Sequence, residues 1–203
     1  MKIFKGIKKN RGMTYVELIV VLSIFSSLSA VVMFNYNSFQ SRIDIKNLSN
    51  DIGLKIVEAQ KFAVAGRLPP LPQQGSVSAT WKPSYGIYLN PGTDNKVFSY
   101  FADLDQDGFY DVATCPGSGE CLEVSGITKG NTISGLAVFY KEDTNPYVLT
   151  DLTISFVRPN GSAVIKSSTN LNSNIDYAQI TVSSPKGATA IIKVYPSGKI
   201  EIR

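Results

Sequence analysis

The chain has 203 residues, enough for one domain with a sizeable core, and it contains no histidine. Histidine is the usual general base and metal ligand near neutral pH, so the commonest catalytic triads and zinc sites are excluded. The formal net charge is +4, but residues 1–12 hold five basic residues and no acidic one. Outside this segment the chain has 15 of its 20 basic residues and all 16 acidic ones. The net charge there is −1, which removes the charge argument for nucleic-acid binding.

The segment Met13–Phe34 is about as long as a helix that crosses a bilayer, and Glu17 is its single charge. By the positive-inside rule the basic block before it stays in the cytoplasm, so the rest of the chain is expected outside. A carboxylate in an apolar span costs about 2.5–3.5 kcal/mol on insertion scales, so Glu17 needs a partner close by. The alternatives are a plain membrane anchor and a signal peptide cut near Ser29 or Ala30.

The helix is expected to continue beyond the membrane. An amphipathic stripe with helical spacing follows the apolar segment, at Leu48, Ile52, Ile56, Ala59 and Ala63. Gly66 then offers a C-terminal cap, and Pro69 and Pro70 forbid continuation. The sequence therefore predicts one helix from about Thr14 to Ala65, its first half in lipid and its second half packed on a domain.

From Gly66 onward the apolar period changes to two, which indicates β-strands separated by turns rich in proline, asparagine and glycine. The predicted strands are Tyr85–Leu89, Val97–Ala102, Leu136–Tyr140, Leu152–Val157, Ala178–Val182, Ala190–Val194 and Ile200–Ile202. Leu68–Ser78 is predicted to be a polar connection. The fold class is therefore α+β, with one long N-terminal helix packed on an antiparallel β-sheet domain.

The N-terminal sequence runs from Lys8-Lys9-Asn10-Arg11-Gly12 through Met13-Thr14-Tyr15-Val16-Glu17-Leu18 into an unbroken apolar helix. It resembles the class III signal of type IV pilins and type II secretion pseudopilins, with Met13 where the family usually has phenylalanine. The resemblance implies that prepilin peptidase cuts between Gly12 and Met13 and N-methylates Met13. It also implies that Glu17 pairs with the N-terminal amine of a neighbouring subunit as the filament assembles.

Three segments of the domain narrow the resemblance: Tyr85–Leu89 with the following Phe101-Ala102-Asp103, then Ile154–Gly161, then Tyr195–Ile200. Together they are similar to the GspH/FimT-like minor pseudopilins. Some members carry a basic C-terminal motif used in DNA uptake. Here Glu201 lies among the basic residues of that end, so DNA is not the favoured partner.

The resemblance implies a pilin-like organisation in four parts. These are a cleaved leader at 1–12, a transmembrane half-helix at 13–34, an amphipathic half-helix at 35–66 and an extracytoplasmic β-rich domain at 67–203. It implies a single-pass protein of the inner membrane, in contact with lipid, prepilin peptidase and other pilin subunits. The expected function is a non-catalytic structural subunit of a type IV pilus or type II secretion filament. The alternatives are a pilus-tip subunit that binds DNA or a surface, and a membrane-anchored enzyme whose activity uses the Asp103–Asp111 cluster.

A second candidate site is Asp103–Asp111, where alternate carboxylates and a turn glycine match the first nine positions of an EF-hand-type calcium loop. The predicted ligands are Asp103, Asp105, Asp107, the Phe109 carbonyl and Asp111. At the twelfth position Thr114 replaces the bidentate glutamate, and Glu120 or Glu123 is the candidate replacement. The alternative is an acidic, solvated turn, but four carboxylates without a cation repel one another, which favours calcium.

Two cysteines, Cys115 and Cys121, follow the acidic loop directly. In an exported domain they are expected to form a disulfide. Such a small closed loop contributes roughly 2 kcal/mol in the chain-entropy model. Two free thiols are the alternative.

Overall fold

The computed structural model describes residues 12–77, 80–111, 115 and 119–203, apart from the side chains of 34, 35, 37 and 144. The basic leader before Gly12, and Thr114 in the acidic loop, lie outside the described residues. The chain divides into two compact units, Met1–Gln40 and Ser41–Arg203. The described part of the first unit is almost entirely helical.

Helix α1 spans Tyr15–Val64, within one residue of the predicted bounds at each end. It is long and apolar enough to span a membrane, and the apolar side chains of its first part are exposed in the isolated chain. Its end is a Schellman motif: Gly66, at φ +68°, donates its N–H to the Ala63 carbonyl at 3.0 Å, and Arg67 donates to Phe62 at 3.1 Å. The predicted glycine cap is confirmed.

Most of the described chain after α1 forms two antiparallel sheets, which confirms the α+β fold class. Sheet 1 has the order β3-β2-β1-β6-β7 and sheet 2 the order β10-β9-β8-β4-β5. The strands are β1 Ser84–Leu89, β2 Val97–Ala102, β3 Cys121–Gly126, β4 Thr132–Tyr140, β5 Asp143–Leu149, β6 Leu152–Val157, β7 Ser162–Lys166, β8 Ile175–Ser183, β9 Thr189–Val194 and β10 Ile200–Ile202. A short helix α2, Leu71–Gln74, lies in the segment that was predicted to be a polar connection, Leu68–Ser78.

The core lies between the second half of α1 and the inner faces of the two sheets. The predicted stripe is confirmed: Ile52, Ile56, Ala59 and Ala63 are fully buried, and Leu48 is partly buried. Alternate strand residues meet them, among them Tyr85, Ile87, Ile154, Ile180 and Ile192. Every buried apolar residue lies at or after Ile45, so Ser41–Arg203 contains the entire core of the described chain.

A single helix side chain joins the two sheets through their turns. Gln60 Nε2 donates to the Gly161 carbonyl, in the turn between β6 and β7, at 2.9 Å. It also donates to the Gly198 carbonyl, in the turn between β9 and β10, at 3.1 Å. Gly161 and Gly198 both have positive φ, at +62° and +85°. The side chain of Gln60 thus connects these two turns to α1 and to each other.

Gly86 in β1 is expected to tolerate no side chain, because its added Cβ would lie 2.5 Å from the Ile154 backbone oxygen and 2.8 Å from the Phe101 ring. Backbone of a paired central strand cannot move aside easily. Gly86→Ala should therefore lower the free energy of unfolding of Ser41–Arg203 by about 3 kcal/mol, the upper part of the usual overpacking range. Urea denaturation measures the difference.

Gly135→Ala in β4 is the matched control, since nothing lies within 4 Å of its added Cβ. This control should unfold within about 0.5 kcal/mol of the parent, as open-surface substitutions do. Equal denaturation midpoints for the two variants would refute the close approach of Gly86 to β6.

Candidate functional site

The first candidate site is the start of α1. Gly12 and Met13 precede the helix and are exposed, and no atom lies within 4 Å of a Cβ added to Gly12. Glu17 lies in the first turn, where its N–H donates to Thr14 Oγ1 at 3.3 Å. Among the described residues no lysine or arginine forms a salt bridge with Glu17. The predicted cleavage position and Glu17 are both exposed in the part of the chain that the structure describes.

The second candidate site is the acidic loop after β2. The carboxylates of Asp103, Asp105 and Glu120 offer oxygens that all lie within 4.8 Å of one another. Asp103 is 1% and Glu120 4% exposed, whereas Asp105 is exposed. The cluster does not include the predicted ligands Asp107 and Asp111. The fold thus brings Glu120, which lies sixteen residues after Leu104 in the sequence, to the acidic loop.

Hydrogen bonds to buried carboxylates shape the loop. Asp103 Oδ1 accepts the N–H of Gln106 at 2.7 Å, and its Oδ2 accepts the Ser84 hydroxyl at 3.1 Å and the Gly108 N–H at 3.2 Å. Gln106 and Gly108 have positive φ, at +67° and +78°. The tight turn needs a glycine at 108, as the sequence pattern indicated.

Glu120 closes the loop from its other end. Its Oε1 accepts the Leu104 N–H at 2.7 Å and its Oε2 accepts the Asp111 N–H at 2.9 Å. Of the two candidate replacements for the missing glutamate, Glu120 therefore lies at the loop. Glu123 instead accepts from Lys55 Nζ at 2.8 Å on the helix. The Asp107 carboxylate accepts the Phe109 N–H at 2.7 Å.

Burial of like charges makes this loop electrostatically costly. Burial raises the pKa of Glu120 to about 7, despite the two backbone N–H donors that lower it. Burial also raises the pKa of Asp103, and the charges of Asp105 and Asp107 add to that increase. The Lys166 ammonium donates to the Asp107 carbonyl and lies 4.4 Å from the Phe109 ring centroid. One cation thus offsets part of the crowded negative charge.

The donor set of this loop consists of oxygens only, and hard oxygen ligands suit calcium. Asp103, Asp105 and Glu120 would hold the ion, which would stabilise the charged forms of the buried Asp103 and Glu120 against the cost of burial. Asp103 Oδ1 and both Glu120 oxygens each accept one backbone N–H and keep a second lone pair for a cation, whereas Asp103 Oδ2 already accepts two hydrogen bonds. Calcium binding stays a prediction. The candidate carboxylate ligands are now Asp103, Asp105 and Glu120, and no longer include Asp107 and Asp111.

An aromatic anchor that the sequence analysis missed holds the loop on sheet 1. The Tyr110 ring lies 4.9 Å from the Tyr88 ring and 5.3 Å from the Phe101 ring, centroid to centroid. The only sequence signal was an aromatic pair, Phe109-Tyr110, inside an otherwise acidic stretch. Tyr110 thereby fixes the loop against the face of sheet 1 that bears Phe101.

The disulfide between Cys115 and Cys121 is present, as predicted, with a Cα–Cα distance of 5.3 Å. Cys121 is the first residue of β3. Gln73 of α2 donates to the carbonyls of Gly119 at 2.8 Å and Cys121 at 3.2 Å. The bridge and Gln73 together fix the segment that delivers Glu120 to the acidic loop.

Comparisons of this chain with family profiles, with curated proteins and with solved structures gave no match. Its own features define the class: an α+β chain whose long N-terminal helix packs on antiparallel sheets and begins with a segment apolar enough to span a membrane. That architecture is compatible with a pilin-like fold.

Proposed function

We propose that this chain is a non-catalytic structural subunit of a type IV pilus or type II secretion filament, a minor pilin or pseudopilin of the GspH/FimT-like kind. The observation that carries the proposal is the difference in burial between the two parts of α1. Its first part exposes apolar side chains such as Leu22, Phe25 and Val32 all round, while Ile52 and Ile56 in its second part are fully buried against the sheets. A helix of this kind anchors a folded domain and leaves its own apolar half for lipid or for neighbouring helices.

Processing by prepilin peptidase is the second element of the proposal. The basic leader, Gly12 and the exposed start of α1 support cleavage between Gly12 and Met13, followed by N-methylation of Met13. Before assembly the protein would cross the inner membrane once, with the leader in the cytoplasm and the β domain outside.

Assembly through Glu17 is the third element. A charge in an apolar span is costly when it is single, and pairing offsets much of that cost. The Glu17 carboxylate is unpaired among the described residues, and cleavage after Gly12 creates a new amine at Met13. An intersubunit pair between Glu17 and that amine of a neighbour supplies the missing partner.

A tip subunit that binds DNA or a surface is the second candidate function. The case for DNA binding rests on the basic residues of the C-terminal hairpin. There the Glu201 carboxylate lies 2.7 Å from Arg203 and 3.8 Å from Lys199. Because one carboxylate contacts both cations, the end of the chain offers little free positive charge to phosphates. This geometry favours the structural role.

Gly12→Glu should leave the full-length precursor in the membrane, because a charged side chain at the cleavage junction blocks approach of the peptidase. Gly6→Glu places the same charge change elsewhere in the leader and should be processed like the parent. Immunoblots of cells with and without a prepilin peptidase measure the shift in size. Equal processing of the two variants would contradict a pilin-type leader.

A further inference from the structure

A cavity of about 460 Å³ lies beside the C-terminal end of α1, against sheet 1. Phe62 of α1, Tyr85 of β1 and Tyr100 of β2 form its aromatic wall, with ring centroids 5.7–6.4 Å apart. The segment Arg67–Leu71 also lines the cavity. Leu68 and Leu71 in it are 61% and 81% exposed. An aromatic wall and exposed apolar residues at its rim suit an apolar or aromatic group.

The cation that lines this cavity is a guanidinium. Arg67 lines the cavity with its carbon Cζ 4.1 Å from the Phe62 ring centroid, and no described carboxylate forms a salt bridge with it. Glu123 also lines the cavity, and its carboxylate lies 2.8 Å from Lys55 Nζ, which also pairs with Glu58 at 3.3 Å. Arg67 therefore presents donors in a planar fork that fits a carboxylate.

A buried hydroxyl in the same wall is unsatisfied. Tyr100 is 4% exposed, and its hydroxyl has no hydrogen-bond partner among the described residues. The neighbouring Tyr85 hydroxyl, in contrast, donates to the Arg67 carbonyl at 2.8 Å. Buried polar groups are almost always paired, so an unpaired one beside a cavity points to a partner that is not part of the chain.

We propose that this cavity binds a carboxylate carried on an aromatic or branched apolar body. The body lies against the wall of Phe62, Tyr85 and Tyr100, the Arg67 guanidinium donates to the carboxylate, and the Tyr100 hydroxyl gains its hydrogen bond from the same ligand. The ligand is either a free small acid or an acidic residue next to an apolar one on a protein segment. All the lining residues belong to Ser41–Arg203, so the cavity does not include the apolar first part of α1.

The test uses the full chain in lipid nanodiscs, with empty nanodiscs as the correction for partition into lipid. Fluorine NMR follows 3-(4-fluorophenyl)propionate and the matching neutral alcohol, 3-(4-fluorophenyl)propanol. The acid should bind at least about tenfold more tightly than the alcohol, as expected for a charge-assisted bidentate contact. Equal affinities of acid and alcohol, or no binding beyond empty nanodiscs, would overturn the proposal.

Variants assign the contacts. Arg67→Gln should abolish the preference for the acid, and Arg42→Gln on the exposed surface of α1 should leave it intact. Tyr100→Phe should weaken binding of both probes severalfold without changing the preference. Identical behaviour of Arg67→Gln and Arg42→Gln would remove Arg67 from the site.

A peptide arm identifies the source of the ligand. An end-blocked peptide containing Phe-Asp, tested against one containing Phe-Asn, should displace the acid probe if the natural ligand is a protein segment. Displacement by the free, unlabelled acid alone assigns a small molecule.

Discussion

A Glu17→Val chain should insert into the membrane and fail to enter filaments. Insertion becomes easier, because a charge worth about 2.5–3.5 kcal/mol leaves the apolar span. Assembly suffers, because the amine of the neighbouring Met13 then has no partner in an apolar environment. Removal of one partner of a buried ion pair typically costs about 3–5 kcal/mol, which corresponds to a loss of incorporation of a hundredfold or more.

Leu18→Val is the matched control for Glu17→Val, since it changes an adjacent exposed residue of the same helix without a change in charge. Membrane fractionation measures insertion, and sheared filaments or cross-linked complexes measure incorporation. Glu17→Gln, which keeps the shape and loses the charge, should behave like Glu17→Val. If the Glu17→Val chain enters filaments as well as the Leu18→Val chain, the proposed pair between Glu17 and the Met13 amine of a neighbouring subunit is wrong.

Calcium should stabilise the isolated domain Ser41–Arg203, which contains the whole core of the described chain. The reason is the cluster of Asp103, Asp105 and Glu120, in which burial and the neighbouring carboxylates disfavour the charged forms of Asp103 and Glu120. Calcium at about 100 times Kd would add roughly 2.7 kcal/mol to the free energy of unfolding. A Kd of about 10⁻⁴–10⁻³ M is expected, as in extracellular calcium modules.

Melting curves with calcium and with chelator measure this gain, and titration calorimetry measures the affinity. Asp103→Asn and Glu120→Gln should abolish the calcium effect, whereas Asp51→Asn on the helix should retain it. Magnesium should raise the melting temperature less than calcium does, because it demands tight octahedral geometry and keeps its bound water. No heat and no shift in melting at calcium concentrations of about 10 mM would make this loop an acidic turn.

Much of the fold was predictable because its signals are local. The helix stripe, the Gly66 cap and strands such as Val97–Ala102 and Leu152–Val157 follow from periodicity and turn residues alone. The sequence analysis missed three strands, β3, β5 and β7, and each of them lies at the edge of its sheet. β3 carries the exposed Glu123 and Val124, and β5 contains Pro146, a residue that marks edges and argues against a strand.

The site was predictable only in part, because its geometry depends on contacts between distant segments. Nothing in the spacing of the carboxylates distinguishes Glu120 from Glu123. The choice is made by Lys55, which pairs with Glu123, and by the disulfide that fixes the start of β3. The unpaired Tyr100 hydroxyl and the neighbouring Arg67 likewise meet only after α1 packs on sheet 1.

The mature N-terminus tests the central claim most directly. Mass spectrometry of the membrane-bound protein should find a chain that begins at Met13, carries an N-methyl group and lacks residues 1–12. A chain that begins near Val31 would establish an ordinary signal peptide, and an intact Met1 in cells with an active prepilin peptidase would establish a plain anchor. Either of these two results would contradict the pilin account.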